Sequence, residues 1–193
     1  MMMTIIKKRP FLLITLFLFV GVMGYYFYPE SPLPANIEID RLVVYKSKRQ
    51  LLAYTDDQLI KTYTISLGRE PVGDKEFEGD KKTPEGIYFL KDEYEDRYLT
   101  PIYGKKAFPS DYPNFYDQRL GKDGSAIWIH GTDKALKPMD SNGCIALEND
   151  NILSLSDYIR LDSTPLIIVE KIVPADAAIQ ADREKKVRSF LDD

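Results

Sequence analysis

The chain has 193 residues, with 26 Lys and Arg against 30 Asp and Glu and a formal net charge of -4. This length suits one domain with a short appendage, and the acidic balance argues against a nucleic-acid partner, since phosphate binding needs a concentrated excess of Lys and Arg. A hydrophobic content of 44% supplies a core and excludes wholesale disorder, while one Cys and one His exclude an internal disulfide and leave too few soft ligands for structural zinc. Neither a metal nor a cofactor is expected.

Lys7, Lys8 and Arg9 precede a run over 11–28 without a charged side chain. A basic flank followed by an apolar run is an export signal. The run ends in Tyr25-Tyr26-Phe27-Tyr28, aromatic residues suited to a membrane interface. Residues 1–28 are therefore expected to be an uncleaved transmembrane helix, with a cleaved signal peptide near Leu33-Pro34-Ala35 as the alternative. The basic flank stays cytoplasmic, so the remainder lies outside the cytoplasm. That remainder keeps 23 basic against 30 acidic residues and is not drawn to anionic lipid.

Residues 29–36 hold three prolines and read as a stiff, extended spacer. A domain over 37–173 follows. Ile37, Ile39 and 42–45 predict a first strand, 50–54 a second and 59–67 a third, joined by hairpin turns such as Thr55-Asp56-Asp57 into an antiparallel meander. The glycine-rich, charged stretch 68–82 is a loop, and Thr83-Pro84-Glu85-Gly86 opens a strand over 87–90. From 91 to 124 no clean periodicity survives, and scattered aromatics suggest a site lining or lid. A short apolar run, 125–130, ends on the histidine. Residues 148–161 carry apolar side chains at helical spacing, 165–169 form a last buried strand, and the polar tail 174–193 is expected as a peripheral helix.

Chemistry concentrates between His130 and Cys144, 14 residues apart. A histidine ending a buried strand can accept a proton, and a cysteine after Ser141-Asn142-Gly143 can sit on a tight turn with N–H groups exposed. A thiol beside a base is a nucleophile, and such N–H groups can hold an oxyanion. A buried structural cysteine and a core histidine are the bland alternative.

His130-Gly131-Thr132 followed by Ser141-Asn142-Gly143-Cys144-Ile145, with Thr83-Pro84-Glu85-Gly86 upstream, resembles the L,D-transpeptidase catalytic domain, or YkuD, family. The resemblance implies a mainly β fold, a β-sandwich of mixed sheets with a few peripheral helices. It implies that Cys144 attacks the bond between the L-centre and D-alanine of a peptidoglycan stem tetrapeptide, that His130 is the general base, and that Gly131 completes the triad through its carbonyl. Asn142, Gly143 and Cys144 would supply oxyanion N–H groups, and Ser141 would shape the turn. The partners implied are peptidoglycan stem peptides, and the location is the bacterial cell envelope on the periplasmic side.

Two departures stand out: Ala146 occupies the position of a common arginine, and the His-to-Cys connection is about two residues shorter than usual for the family. They keep two alternatives in view, an L,D-carboxypeptidase releasing D-alanine to water and a silent peptidoglycan-binding module. For the substrate, Tyr94, Tyr98, Tyr103, Tyr112 and Trp128 are expected to cover the stem peptide, with Arg97, Arg119 or Lys137 replacing the lost cation.

Overall fold

Strand alternation sets the first sheet. The computed structural model describes residues 9–27, 33–34 and 37–171. The expected tail, 174–193, and most of the spacer lie outside them. The apolar N-terminal run is helix α1 (Arg9–Phe27), which belongs to one compact unit, while the chain from Leu33 onward forms a second. Among the described residues no helix is long and apolar enough to cross a membrane, so the expected transmembrane helix is not supported by the structure. Leu33 is buried in the core of the second unit, and the Tyr158 hydroxyl donates to the Pro34 carbonyl at 3.3 Å. Within the expected stiff spacer, Leu33 thus belongs to the core, while Pro34 stays exposed.

In β1 (Arg41–Tyr45), Leu42 and Val44 point inward and are buried, while their neighbours are half exposed. β2 (Gln50–Thr55) and β3 (Gln58–Thr64) pair antiparallel with it in series, so the expected meander is present. Asp56 and Asp57 turn the hairpin at φ 46° and 65°, the backbone that a tight two-residue loop demands. The third strand is shorter than expected. After a break at Ile65 and Ser66, β4 (Leu67–Gly68) leaves this sheet. β5 (Gly86–Phe89) rejoins it at the far edge.

The segment 91–124, where no clean periodicity survives, holds two strands and a short α-helix besides two 3-10 turns. β6 (Tyr94–Glu95) and β7 (Lys106–Pro109) pair antiparallel, and α2 (Phe115–Arg119) is started by a capping box between Asn114 and Asp117. β8 (Trp128–His130) pairs with β7. β9 (Met139–Ser141) runs parallel to β4, and β10 (Ile145–Ala146) runs parallel to β8. α3 (Asn149–Ser156) ends five residues before the expected 161. β11 (Pro165–Val169) enters the middle of the first sheet, parallel to β1 and antiparallel to β5. The sheets are thus β3-β2-β1-β11-β5, β10-β8-β7-β6 and β4-β9. Side chains from the two larger sheets and from α3, including Leu42, Leu166, Phe108, Ile129 and Ile152, share one core. A mainly β domain of mixed sheets is therefore what forms, with a small third sheet added.

The loop 69–85 has no regular structure and is held by two buried lysines. The Lys46 side chain has 0% exposure, and its Nζ donates to the Gly73 carbonyl at 2.6 Å, the Thr83 carbonyl at 3.0 Å and Glu85 Oε1 at 3.0 Å. Within the loop, Lys75 donates to the Phe77 carbonyl at 2.9 Å and Asp80 Oδ1 at 2.7 Å. Burial opposes the charge on Asp80, but hydrogen bonds from Lys75 and from the N–H groups of Lys82, Glu76 and Phe77 outweigh it and hold the carboxyl at about 2.

Lys46→Met removes the donor while leaving its buried carbonyl acceptors. A loss of about 3 kcal/mol in urea unfolding is expected, together with faster proteolysis within 69–85. Unchanged stability and cleavage would show that the loop is held by other contacts.

Candidate active site

Cys144 sits where the chain passes from one sheet to another. β9 ends at Ser141, paired with Gly68, and β10 begins at Ile145, paired with Ile129 of β8. The intervening turn is braced by Ser141, whose Oγ donates to the Cys144 carbonyl at 2.6 Å and accepts from the Gly143 N–H at 3.1 Å. The Gly143 N–H, expected as an oxyanion donor, is thus already engaged inside the turn. Gly143 has φ 130°, and a Cβ there would lie 2.7 Å from the Lys82 carbonyl oxygen. The turn can approach loop 69–85 this closely only because position 143 lacks a side chain.

His130 ends β8 and is buried. Its Nδ1 is 2.6 Å from the Gly131 carbonyl oxygen. A carbonyl only accepts, so Nδ1 carries the proton and Nε2 is left as the basic nitrogen. The Tyr103 ring meets the imidazole edge-on, with centroids 5.1 Å apart. The half-buried Cys144 thiol donates to the Ala126 carbonyl at 3.3 Å. Ala126 itself has φ 56°, an uncommon backbone for a residue with a side chain.

Burial decides the protonation of both groups. It pushes the Cys144 thiol above its ordinary value, against the Trp128 backbone hydrogen bond and the charge of Lys75, which pull it down. It also lowers the His130 imidazole, against the Gly131 carbonyl bond that favours the charged ring. At neutral pH the resting pair is therefore neutral thiol and neutral imidazole.

Both groups line one open cleft of about 180 Å³, with Ser66, Tyr103, Ser141, Asn142 and Ala146 among its walls. The expected turn residues are together here, and Gly131 lies behind His130. Of the expected substrate residues, Tyr103 lines the cleft and so does Lys137. Trp128 stands one ring back, 4.8 Å from Tyr103 and 5.7 Å from Tyr94. Tyr98, Arg97 and Arg119 are not lining residues. Arg97 pairs with Glu95 and lies 4.8 Å from the Tyr98 ring centroid, while Arg119 lies over Phe115. Tyr112 is a core residue against Tyr88, with its hydroxyl donating to the Asp123 carbonyl at 3.0 Å.

Sequence reasoning missed Arg69 and Lys134, which both line the cleft. Arg69 follows β4 and donates to Asn142 Oδ1 at 3.1 Å. Ser66 and Ala146 exchange two backbone hydrogen bonds of 2.9 Å, so Arg69 starts three residues along the chain from the direct partner of Ala146. Its signal lay in a charged loop where no periodicity marks a side chain as inward or outward. Among the described residues no group of three His, Cys, Asp or Glu converges as metal ligands would.

The two shifts set a pH dependence. Alkylation of Cys144 by iodoacetamide is expected to be slow at pH 7 and to keep rising past 9.0, the ordinary thiol value. A rate already at its plateau near pH 7 would indicate a preformed thiolate and contradict this. Below 6.5 the unfolded chain binds a proton at His130 more readily than the folded one, so stability falls as pH is lowered through that value.

A family model for the L,D-transpeptidase catalytic domain, YkuD, matches residues 39–168. YqjB of Bacillus subtilis (strain 168), named as a candidate L,D-transpeptidase, is 27% identical over 148 residues, covering 72% of this chain and 74% of that protein. YafK of Escherichia coli (strain K12), named in the same way, is 28% identical over 123 residues, or 60% of this chain. The match spans 45% of YafK, so the chain corresponds to about half the length of this curated relative. Among solved structures, Bd1075 of Bdellovibrio bacteriovorus superposes with a TM-score of 0.61 at 29% identity, over 83% of this chain and 58% of that one. The helical cell shape determining protein Pgp2 of Campylobacter jejuni gives 0.60 at 28%, over 75% and 53%. With the match running from before β1 to within β11 and taking in loop 69–85, His130 and Cys144, the chain belongs to the L,D-transpeptidase catalytic domain (YkuD) family.

Proposed function

We propose that this protein is a cysteine acyltransferase acting on peptidoglycan stem tetrapeptides. The observation that carries the reading is the opening of Cys144 and His130 onto one cleft, with the imidazole held by the Gly131 carbonyl so that Nε2 is the free base. Nε2 takes the thiol proton as Sγ attacks the carbonyl between the L-centre and D-alanine. The oxyanion is met by the N–H groups of Asn142 and Cys144, since that of Gly143 serves the turn. Collapse breaks the peptide C–N bond, the imidazolium returns its proton to the leaving amine, and D-alanine departs from a thioester. An incoming amine, deprotonated by His130, then resolves the thioester and restores the thiol.

Charge in the cleft favours an anionic acyl donor. Arg69, Lys134 and Lys137 line it with Asp140 as the one carboxylate, although the whole chain is acidic. A stem peptide with a free terminal carboxylate suits that excess, and Arg69 is our choice to replace the cation missing at Ala146. Water as acceptor is a second reading, favoured by Ala146 at the position of the family's common arginine. For location, the basic flank and apolar run support export and retention at the cytoplasmic membrane, with the domain on the outer side.

The purified protein incubated with tetrapeptide muropeptides is expected to release D-alanine, giving dimers if it transfers and tripeptide monomers if it hydrolyses. Cys144→Ala abolishes both, and Arg69→Ala raises KM about tenfold with a smaller change in kcat, the loss of one charged hydrogen-bond partner. No turnover and no mass shift of Cys144 with a carbapenem would leave the silent binding module as the better reading. Cell fractionation tests the location: recovery from the membrane pellet with an intact N-terminus is expected, and a soluble product beginning near residue 36 would overturn retention.

A further inference from the structure

Next to His130 in the chain, the segments 104–105 and 131–133 meet one side chain, that of Asn149. Asn149 stands in the first turn of α3, where an asparagine is usually explained as a cap. It caps nothing, because the N-cap is Glu148, which makes no side-chain cap bond. Instead Asn149 Oδ1 accepts from the Lys105 N–H at 2.9 Å, and Nδ2 donates to Asp133 Oδ1 at 2.6 Å. A donor on one side and a carboxylate on the other fix the amide's orientation.

The carboxamide also lies hard against two glycines. A Cβ on Gly131 would come within 2.3 Å of Asn149 Oδ1, and one on Gly104 within 2.2 Å. Gly131 is the residue whose carbonyl holds His130 Nδ1. Gly104 and Lys105 follow the 3-10 turn Pro101–Tyr103, which brings the Tyr103 ring to the imidazole edge. Asp133 lies in the chain between Thr132 and Lys134, which line the cleft, without lining it itself. A glycine has the freest backbone of any residue, so the Gly131 carbonyl keeps its direction only if its neighbours leave it no alternative.

We propose that Asn149 is the positioning residue for His130: by joining Lys105 and Asp133 across Gly131 it fixes the Gly131 carbonyl at Nδ1 and so keeps Nε2 as the basic nitrogen. The proposal rests on the reading of His130 as the base, and it concerns the hydrogen bond behind the ring rather than any contact with substrate. Without the clamp the Gly131–Thr132 peptide can rotate. The tautomer is then no longer imposed, because the bond made by one ring nitrogen decides which nitrogen carries the proton.

The chain has a single histidine, so 15N-histidine NMR reports this imidazole alone. Wild type is expected to show the Nδ1–H tautomer. In Asn149→Ala the two tautomers mix, carbapenem acylation of Cys144 slows about 10²-fold as expected for a misplaced base, and the acid limb of the acylation rate moves to lower pH, since the carbonyl bond favouring the charged ring is lost. Asn149→Asp alone sets two carboxylates together and is impaired. Combined with Asp133→Asn, it keeps an acceptor for Lys105 and restores the second bond with donor and acceptor exchanged, so tautomer and rate recover. A folded Asn149→Ala that retains the Nδ1–H tautomer and the wild-type pH profile overturns the proposal, as does a double variant no better than Asn149→Asp. If wild type processes no tetrapeptide and is not acylated, yet Asn149→Ala still mixes the tautomers, the enzymatic reading fails while the positioning role stands.

Discussion

An ammonium group with no exposed surface governs how this domain is assembled. Moving a lysine out of water costs several kcal/mol unless its protons find partners. Lys46 finds three, two carbonyls and one carboxylate, all supplied by loop 69–85. The loop's far end then has no freedom. Thr83 accepts from the Gly68 N–H through its hydroxyl, and the Lys82 carbonyl lies under Gly143. A single buried charge in the turn after β1 thus sets, at two removes, the level at which the cysteine-bearing turn stands. The requirement for glycine at 143 follows from the same chain of contacts.

What burial does to the site is equally consequential. It keeps the thiol and the imidazole neutral at rest, so charge appears only when the proton moves, and the surrounding groups act on that charged state. Lys75, buried within loop 69–85, favours the thiolate, and the Gly131 carbonyl favours the imidazolium. The neutral pair also leaves the cleft's positive side chains uncompensated by a thiolate in the free protein.

Legibility in the sequence followed burial on one face. β1, β2 and β11 show inward residues at period two or as a short apolar run, and they form where expected. β7 did not show itself, because Ala107 and Phe108 are both buried and the strand spans only 106–109, too short for a period to emerge. The capping box of α2 was readable in Asn114 and Asp117 but lay among aromatics that drew the reading toward a lid. At the site, motif spacing gave the positions of Cys144, His130 and the turn. The cleft's cations did not follow, since Arg69 reaches Asn142 across 73 residues of sequence and no local pattern encodes that meeting. Arg97 and Arg119 were equally charged and equally unpatterned, and their partners lie elsewhere.

The position of β11 has a consequence for how such a domain comes into being. Leu166 pairs with Leu42, so the strand that begins the first sheet waits for one made 124 residues later. Until β11 arrives, β1 and β5 are bare edges, and the sheet exists only as the hairpin meander at one end. The contacts that complete the fold are of long sequence separation, which makes closure slow relative to formation of the meander. Because β11 lies between β1 and β5, the first sheet cannot be completed until almost the whole domain is available to fold.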